Sequence, residues 1–150
     1  MRTDSRLSRM LHALIHMHRA DGPMTSEMMA AMLGTNAVVV RRLLGGLRDA
    51  GYVQSEKGHG GGWTLAAPLD AITLLDVYRA VGEPPLFSEL VSDDHPHCLV
   101  ERAVNAHLSA ALAEAEDALL AKFGEVTLGS LARSFEQAMP TDGGAGHAPA

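Results

Sequence analysis

A chain of 150 residues is long enough for one domain with its own core plus an appended element, and it needs no covalent staples. Hydrophobic residues make up 47% and aromatic ones only 4%, which favours packed helices over a sheet-rich fold, and a single cysteine, Cys98, excludes an intramolecular disulfide framework. The net charge of −6 is unevenly placed: residues 1–65 carry eight basic against five acidic side chains and the remainder four against thirteen, so a mildly basic amino-terminal part can meet phosphate while the acidic rest faces solvent or a partner.

In chain order, Leu7, Met10, Leu11, Leu14 and Ile15 recur at spacings of three and four, predicting an amphipathic helix from about Ser5, its candidate N-cap, to Arg19. Asp21-Gly22-Pro23 breaks it. Thr25 or Ser26 caps a short second helix ending near Leu33, with Glu27 in its first turn. Gly34 suits a left-handed terminating position, and Thr35 or Asn36 caps a third helix that buries Val40, Leu43, Leu44 and Leu47. Two helices meeting across so short a glycine-containing turn have the form of a helix-turn-helix. Beyond Gly51, Tyr52–Ser55 and Trp63–Leu65 read as strands of a hairpin whose tip, Glu56–Gly62, is rich in glycine. Thr73 caps a helix through Val81, residues 86–95 form a loop, and residues 96–123 run without glycine or internal proline, predicting a helix about 42 Å long. Within it Val104, Leu108, Ala111, Leu112, Ala115 and Leu119 form a stripe suited to a helical partner. A short helix from Thr127 to about Ala138 and a disordered small-residue tail complete the chain.

The fold class read from this order is mainly α with a small β-hairpin: a winged helix-turn-helix domain (residues 1–82), an effector loop with dimerisation helices (83–139) and a tail (140–150). In such a unit the second helix of the motif enters the major groove, so Thr35, Asn36, Ala37, Val38, Arg41 and Arg42 are the candidate base- and phosphate-contacting residues. Lys57, His59, Gly60 and Gly61 at the hairpin tip are candidates for contact along the sugar-phosphate backbone, with Trp63 packed beneath. The glycine run lacks the Gly-Lys-Ser/Thr ending of a nucleotide loop. Gly45 and Gly46 weaken the third helix without a reason legible in the sequence.

His95, His97 and Cys98 are the one constellation that could carry chemistry. They are weak candidates for a zinc site, which would need a distant fourth ligand such as His107 or the second subunit. Cys98 is also a candidate redox-sensing thiol, against the reading in which the two histidines decorate a loop and Cys98 caps an apolar face. An all-cysteine cluster site is impossible with one cysteine per chain.

With Met32-Leu33-Gly34-Thr35-Asn36, Val39-Val40-Arg41-Arg42-Leu43-Leu44-Gly45-Gly46-Leu47, Ala50-Gly51-Tyr52-Val53, Lys57–Trp63 and Ile72-Thr73-Leu74-Leu75-Asp76-Val77-Tyr78 in hand, the segment from Arg6 to about Arg133 resembles the Rrf-two (Rrf2) family of bacterial winged-helix regulators. The family contains iron-sulfur-cluster sensors and cluster-free members. The resemblance implies a dimer crossed by its long helices, a recognition helix in the major groove, a wing near the minor groove, and a sensing region at the start of the long helix, where Cys98 lies. The three closely spaced cysteines of the cluster-binding members are missing, so the chain looks like the cluster-free subgroup and no cofactor is carried over. The expected protein is a cytoplasmic, homodimeric, sequence-specific DNA-binding regulator, a repressor responsive to redox state or a ligand, whose partners are a double-stranded DNA operator and its own second copy. A winged helix that binds another protein, and an enzyme using Cys98 as nucleophile, are the rival readings.

Overall fold

The computed structural model describes residues 4–87, 91–92 and 94–140; part of the expected 86–95 loop, and the expected tail from residue 141 onward, lie outside the described residues. The architecture is mainly helical with one two-stranded antiparallel hairpin. Helix α1 (Arg6–Arg19) buries Met10, Ala13, Leu14 and Met17, the inward face of its periodic stripe. Ser5 stands at the N-cap, but its hydroxyl makes no capping bond. The Asp4 carboxylate accepts from the Arg6 amide at 3.1 Å instead, a negative group placed where the helix dipole favours it.

Helix α2 (Ser26–Leu33) is capped by Thr25, whose Oγ1 accepts from the Met28 amide at 3.1 Å, and ends at Gly34 with φ 67°. Helix α3 (Ala37–Asp49) is capped by Asn36, whose Oδ1 accepts from the Val39 amide at 3.0 Å. α3 buries Val40, Leu43, Leu44 and Leu47 against α1 and α2. Gly46 is demanded by packing: a Cβ there would collide with the carbonyl oxygen of Ala80, so two helix backbones meet without side chains between them. That contact offsets the roughly 1 kcal/mol a helical glycine costs relative to alanine.

Strands β1 (Val53–Glu56) and β2 (Gly62–Leu65) pair from Val53↔Leu65 to Glu56↔Gly62, with residues 57–61 as the tip. The hairpin is fastened to the helix-turn-helix at Trp63. Its buried indole N–H donates to Ser26 Oγ at 3.0 Å, and the Met24 and Trp63 backbones exchange hydrogen bonds of 3.1 and 2.8 Å. Trp63 thus packs beneath the hairpin, as expected, and the two motifs become one unit.

A 3-10 turn at Leu69–Ala71 leads to helix α4 (Leu74–Ala80), which opens with a reciprocal cap: Asp76 N–H to Thr73 Oγ1 at 3.1 Å and Thr73 N–H to Asp76 Oδ2 at 2.9 Å. Helix α5 spans Leu99–Glu125, shifted from the expected 96–123. At its start, Pro96 and His97 form a turn closed by the Cys98 amide on the His95 carbonyl at 2.9 Å; at its end the helix runs on through Gly124, where an added Cβ would lie 3.5 Å from Leu75 Cδ2. Helix α6 (Leu128–Ala138), capped by Thr127, returns to the first unit and places Leu128 and Ala132 in the same core as Met10 and Leu14. The core therefore draws on residues from both sides of position 82. None of α5's 27 residues is buried; Leu99 is 76%, Val100 71%, Val104 50% and Leu108 39% exposed.

Candidate nucleic-acid interface

The outward side of α3 is set by what its inward side must cover. With Val40, Leu43, Leu44 and Leu47 facing the core, the i, i+3, i+4 row Val38, Arg41, Arg42, Gly45 and Arg48 faces away, and Val38, Arg41, Arg42 and Arg48 are exposed. Asn36 spends its side-chain oxygen on the cap and keeps its amide donors free, while Thr35 and Ala37 are half-buried at the turn. The sequence-selected residues of this helix therefore divide into a positioning group at its start and a cationic row along its outer face.

The neighbouring arginines point to different partners. Arg41 reaches back to α2, its Nη1 donating to Glu27 Oε1 at 2.9 Å across the helix-turn-helix. Glu27's own backbone amide, and after it the Arg41 guanidinium, hold that carboxyl below the usual carboxylate range. Both side chains are mostly exposed, so the pair aims Arg41 more than it stabilises the fold. Arg42 instead lines a cleft of about 270 Å³ with Arg6, Val39, Leu43, Ala80, Val81 and Gly82, where two cations share one concave surface. Sequence reasoning singled out neither Glu27, Arg6 nor Arg48 as part of the site. The position of Glu27 in the first turn of α2 was visible; its approach to Arg41 is a matter of how two helices dock.

At the hairpin tip Lys57, His59 and Gly60 are exposed and Gly61 is half-buried, a Cβ on Gly61 being excluded by the Glu56 carbonyl oxygen. Arg48 lies between helix and wing, its guanidinium carbon 6.0 Å from the centre of the Trp63 ring. The arrangement presents exposed cations on a helix and a side-chain-poor loop beside it, a surface able to meet a polyanion by charge and close backbone approach.

The third group is not assembled into a site. His95, His97, Cys98 and His107 are all exposed, with Cys98 at the N-cap of α5 making no side-chain capping bond. Among the described residues no group of three or more His, Cys, Asp or Glu side chains could hold a metal ion. No helix among them is long and apolar enough to cross a membrane.

A family model described as Rrf2, iron-dependent transcriptional regulator, matches residues 3–134. YwnA of Bacillus subtilis, named an HTH-type transcriptional regulator, is 33% identical over 101 residues, which are 67% of this chain and 74% of YwnA. CymR of the same organism, also named an HTH-type transcriptional regulator, is 32% identical over 76 residues, 51% of this chain and 55% of CymR. The solved structure of CymR, described as the global cysteine regulator of B. subtilis, shares the fold with a TM-score of 0.57 at 24% identity over 89% of this chain and 98% of CymR. A Lactobacillus plantarum protein described as a transcriptional regulator superposes with a TM-score of 0.71 at 21% identity, covering 89% of this chain and 91% of its own. These likenesses establish the winged-helix fold.

The iron of the family description meets an unsuitable donor set here. A cluster held by cysteine thiolates needs more than the single, exposed Cys98, and the three-donor group a protein-held iron requires is missing among the described residues. The described residues of this chain do not fit the group.

Proposed function

Because the chain belongs to the Rrf2 family of transcriptional regulators, whose members are regulators and not enzymes, we propose that it is a sequence-specific, homodimeric DNA-binding repressor. The observation that carries this reading is the outward row of α3, with Val38, Arg41, Arg42 and Arg48 exposed beside a glycine-tipped wing. Asn36, Ala37, Val38, Arg41 and Arg42 read one half-site in the major groove, with Thr35 shaping the entry; Lys57, His59, Gly60 and Gly61 follow the adjacent backbone. Two copies joined through α5 place two such helices on half-sites of an inverted repeat about one helical turn apart, and the seated dimer excludes other proteins from the same grooves. Support for the homodimer comes from the apolar residues Val104 and Leu108, which α5 leaves 50% and 39% exposed. Residues 1–82 form the DNA-binding part and residues 83–139 the sensing and dimerisation part of this scheme, with input reaching it at Cys98 in place of iron.

The test is mobility shift on duplexes selected by the protein from random-sequence DNA. Arg41→Ala or Arg42→Ala weakens binding by roughly 5- to 150-fold where the lost contact reads a base, equivalent to about 1–3 kcal/mol. Sedimentation and circular dichroism of the variants stay at wild-type values. Wild-type affinity in both variants at matched salt removes the two arginines from the interface, and failure of the wild type to select any duplex favours the protein-binding reading of the wing.

A further inference from the structure

Gly45 and Gly46 are adjacent in α3, yet only one of them has a reason inside the protein. Gly46 must lack a side chain because the Ala80 carbonyl occupies its place. A Cβ on Gly45 would meet nothing closer than Arg48 Nη2 at 3.9 Å, so neither packing nor backbone conformation calls for glycine there. The position nevertheless carries the helix-weakening residue, in the outward row, one turn after Arg41 and Arg42 and one turn before Arg48. A missing side chain that serves nothing within the fold leaves a shallow notch on the face that meets DNA.

We infer that Gly45 is a docking notch for the sugar-phosphate backbone of duplex DNA, where α3 leaves the major groove and one strand crosses it. This rests on the DNA-binding reading above and adds to it the place where the strand crosses. The amino-terminal half of a recognition helix lies deepest in the groove, and its later turns pass the backbone. Arg48, whose guanidinium borders the notch, lies 3.6 Å from the exposed carboxylate of Asp49, an ion pair that a phosphate at the crossing replaces with a charge-assisted hydrogen bond of its own. A side chain at position 45 holds the strand away from Arg48. Because the backbone carries no base code, the loss falls equally on all sequences.

The experiment compares Gly45→Ala, Gly45→Leu and Gly46→Ala in the full chain, by thermal melting and by affinity for a wild-type-selected duplex and for an unrelated duplex of equal length. Gly45→Ala melts higher by about 4 °C, as expected for a relieved helix, yet binds both duplexes about tenfold more weakly with a salt slope smaller by about 1. Gly45→Leu loses affinity further, while Gly46→Ala melts lower. Unchanged affinity in Gly45→Ala and Gly45→Leu overturns the notch while leaving DNA binding standing. A fall in melting temperature in Gly45→Ala also overturns it, since the glycine would then serve the fold. A wild type that binds neither duplex brings down the functional reading itself.

Discussion

The amino-terminal unit and helix α5 solve the same problem in opposite ways. Met10, Leu14, Met29, Leu44 and Leu47 in the first are withdrawn from water by their own chain, whereas α5 leaves Val100, Val104 and Leu108 in solvent and touches the rest of the protein mainly through its last turns, where Phe123 lies 6.1 Å from Tyr78 ring to ring. An apolar core residue contributes its roughly 1.5–3 kcal/mol as soon as one chain folds; an exposed one contributes only when something else arrives. One region is stabilised within the molecule and the other is available to be stabilised between molecules.

Leu108→Glu combined with Leu112→Glu breaks this contrast most strongly. Two carboxylates in the seam of the proposed dimer abolish association, leave a folded monomer, and lower affinity for a two-half-site duplex by at least about 100-fold, because each monomer then holds one half-site. Sedimentation together with mobility shift checks this. An intact dimer would place the seam elsewhere.

Next in size, Leu44→Ala in the core costs about 2–5 kcal/mol in denaturant unfolding, while Val104→Ala on α5 costs under about 0.5 kcal/mol in the monomeric background of the first experiment. Equal costs would mean that α5 is covered within its own chain. The smallest expected effect concerns the free end of α5. Mild peroxide lowers the DNA affinity of the wild type a few-fold and leaves Cys98→Ser unchanged, because oxidation adds bulk and polarity to an exposed thiol at the start of the proposed dimerisation helix. Matching responses remove Cys98 as the point of input.

Local signals made the helices legible. Thr25, Asn36, Thr73 and Thr127 are short-range caps, and each does its work within three residues of itself. The outward placement of Arg41 and Arg42 followed from the periodicity of Val40, Leu43, Leu44 and Leu47, which left Arg48 in the same row unnoticed. Ser5 shows the limit of such signals, since two residues in one turn compete for the cap and the charged Asp4 takes it. What the sequence concealed is non-local: Ser26 under Trp63, Glu27 beside Arg41, Arg6 beside Arg42, and Ala80 over Gly46 join residues that only docked helices bring together. No spacing rule encodes those pairs. For the same reason the glycine pair was opaque, because its two members differ in what lies above them and not in what lies beside them.

The junction at the far end of α5 gives this helix the mechanics of a lever. Thr73 and Thr127 pair as an isolated bridge, the Leu74 amide donates to the Val126 carbonyl at 2.9 Å, and the Leu128 amide donates to the Ile72 carbonyl at 2.8 Å, so the carboxyl end is clamped to the body while Leu99 lies about 40 Å away at the helical rise. Rotating such an arm by roughly 5° about its clamp moves its tip by about 3.5 Å. Successive base pairs are about 3.4 Å apart. A few degrees of rotation at the clamp thus displace the free tip by about the spacing of successive base pairs, and the length of α5 sets the gain.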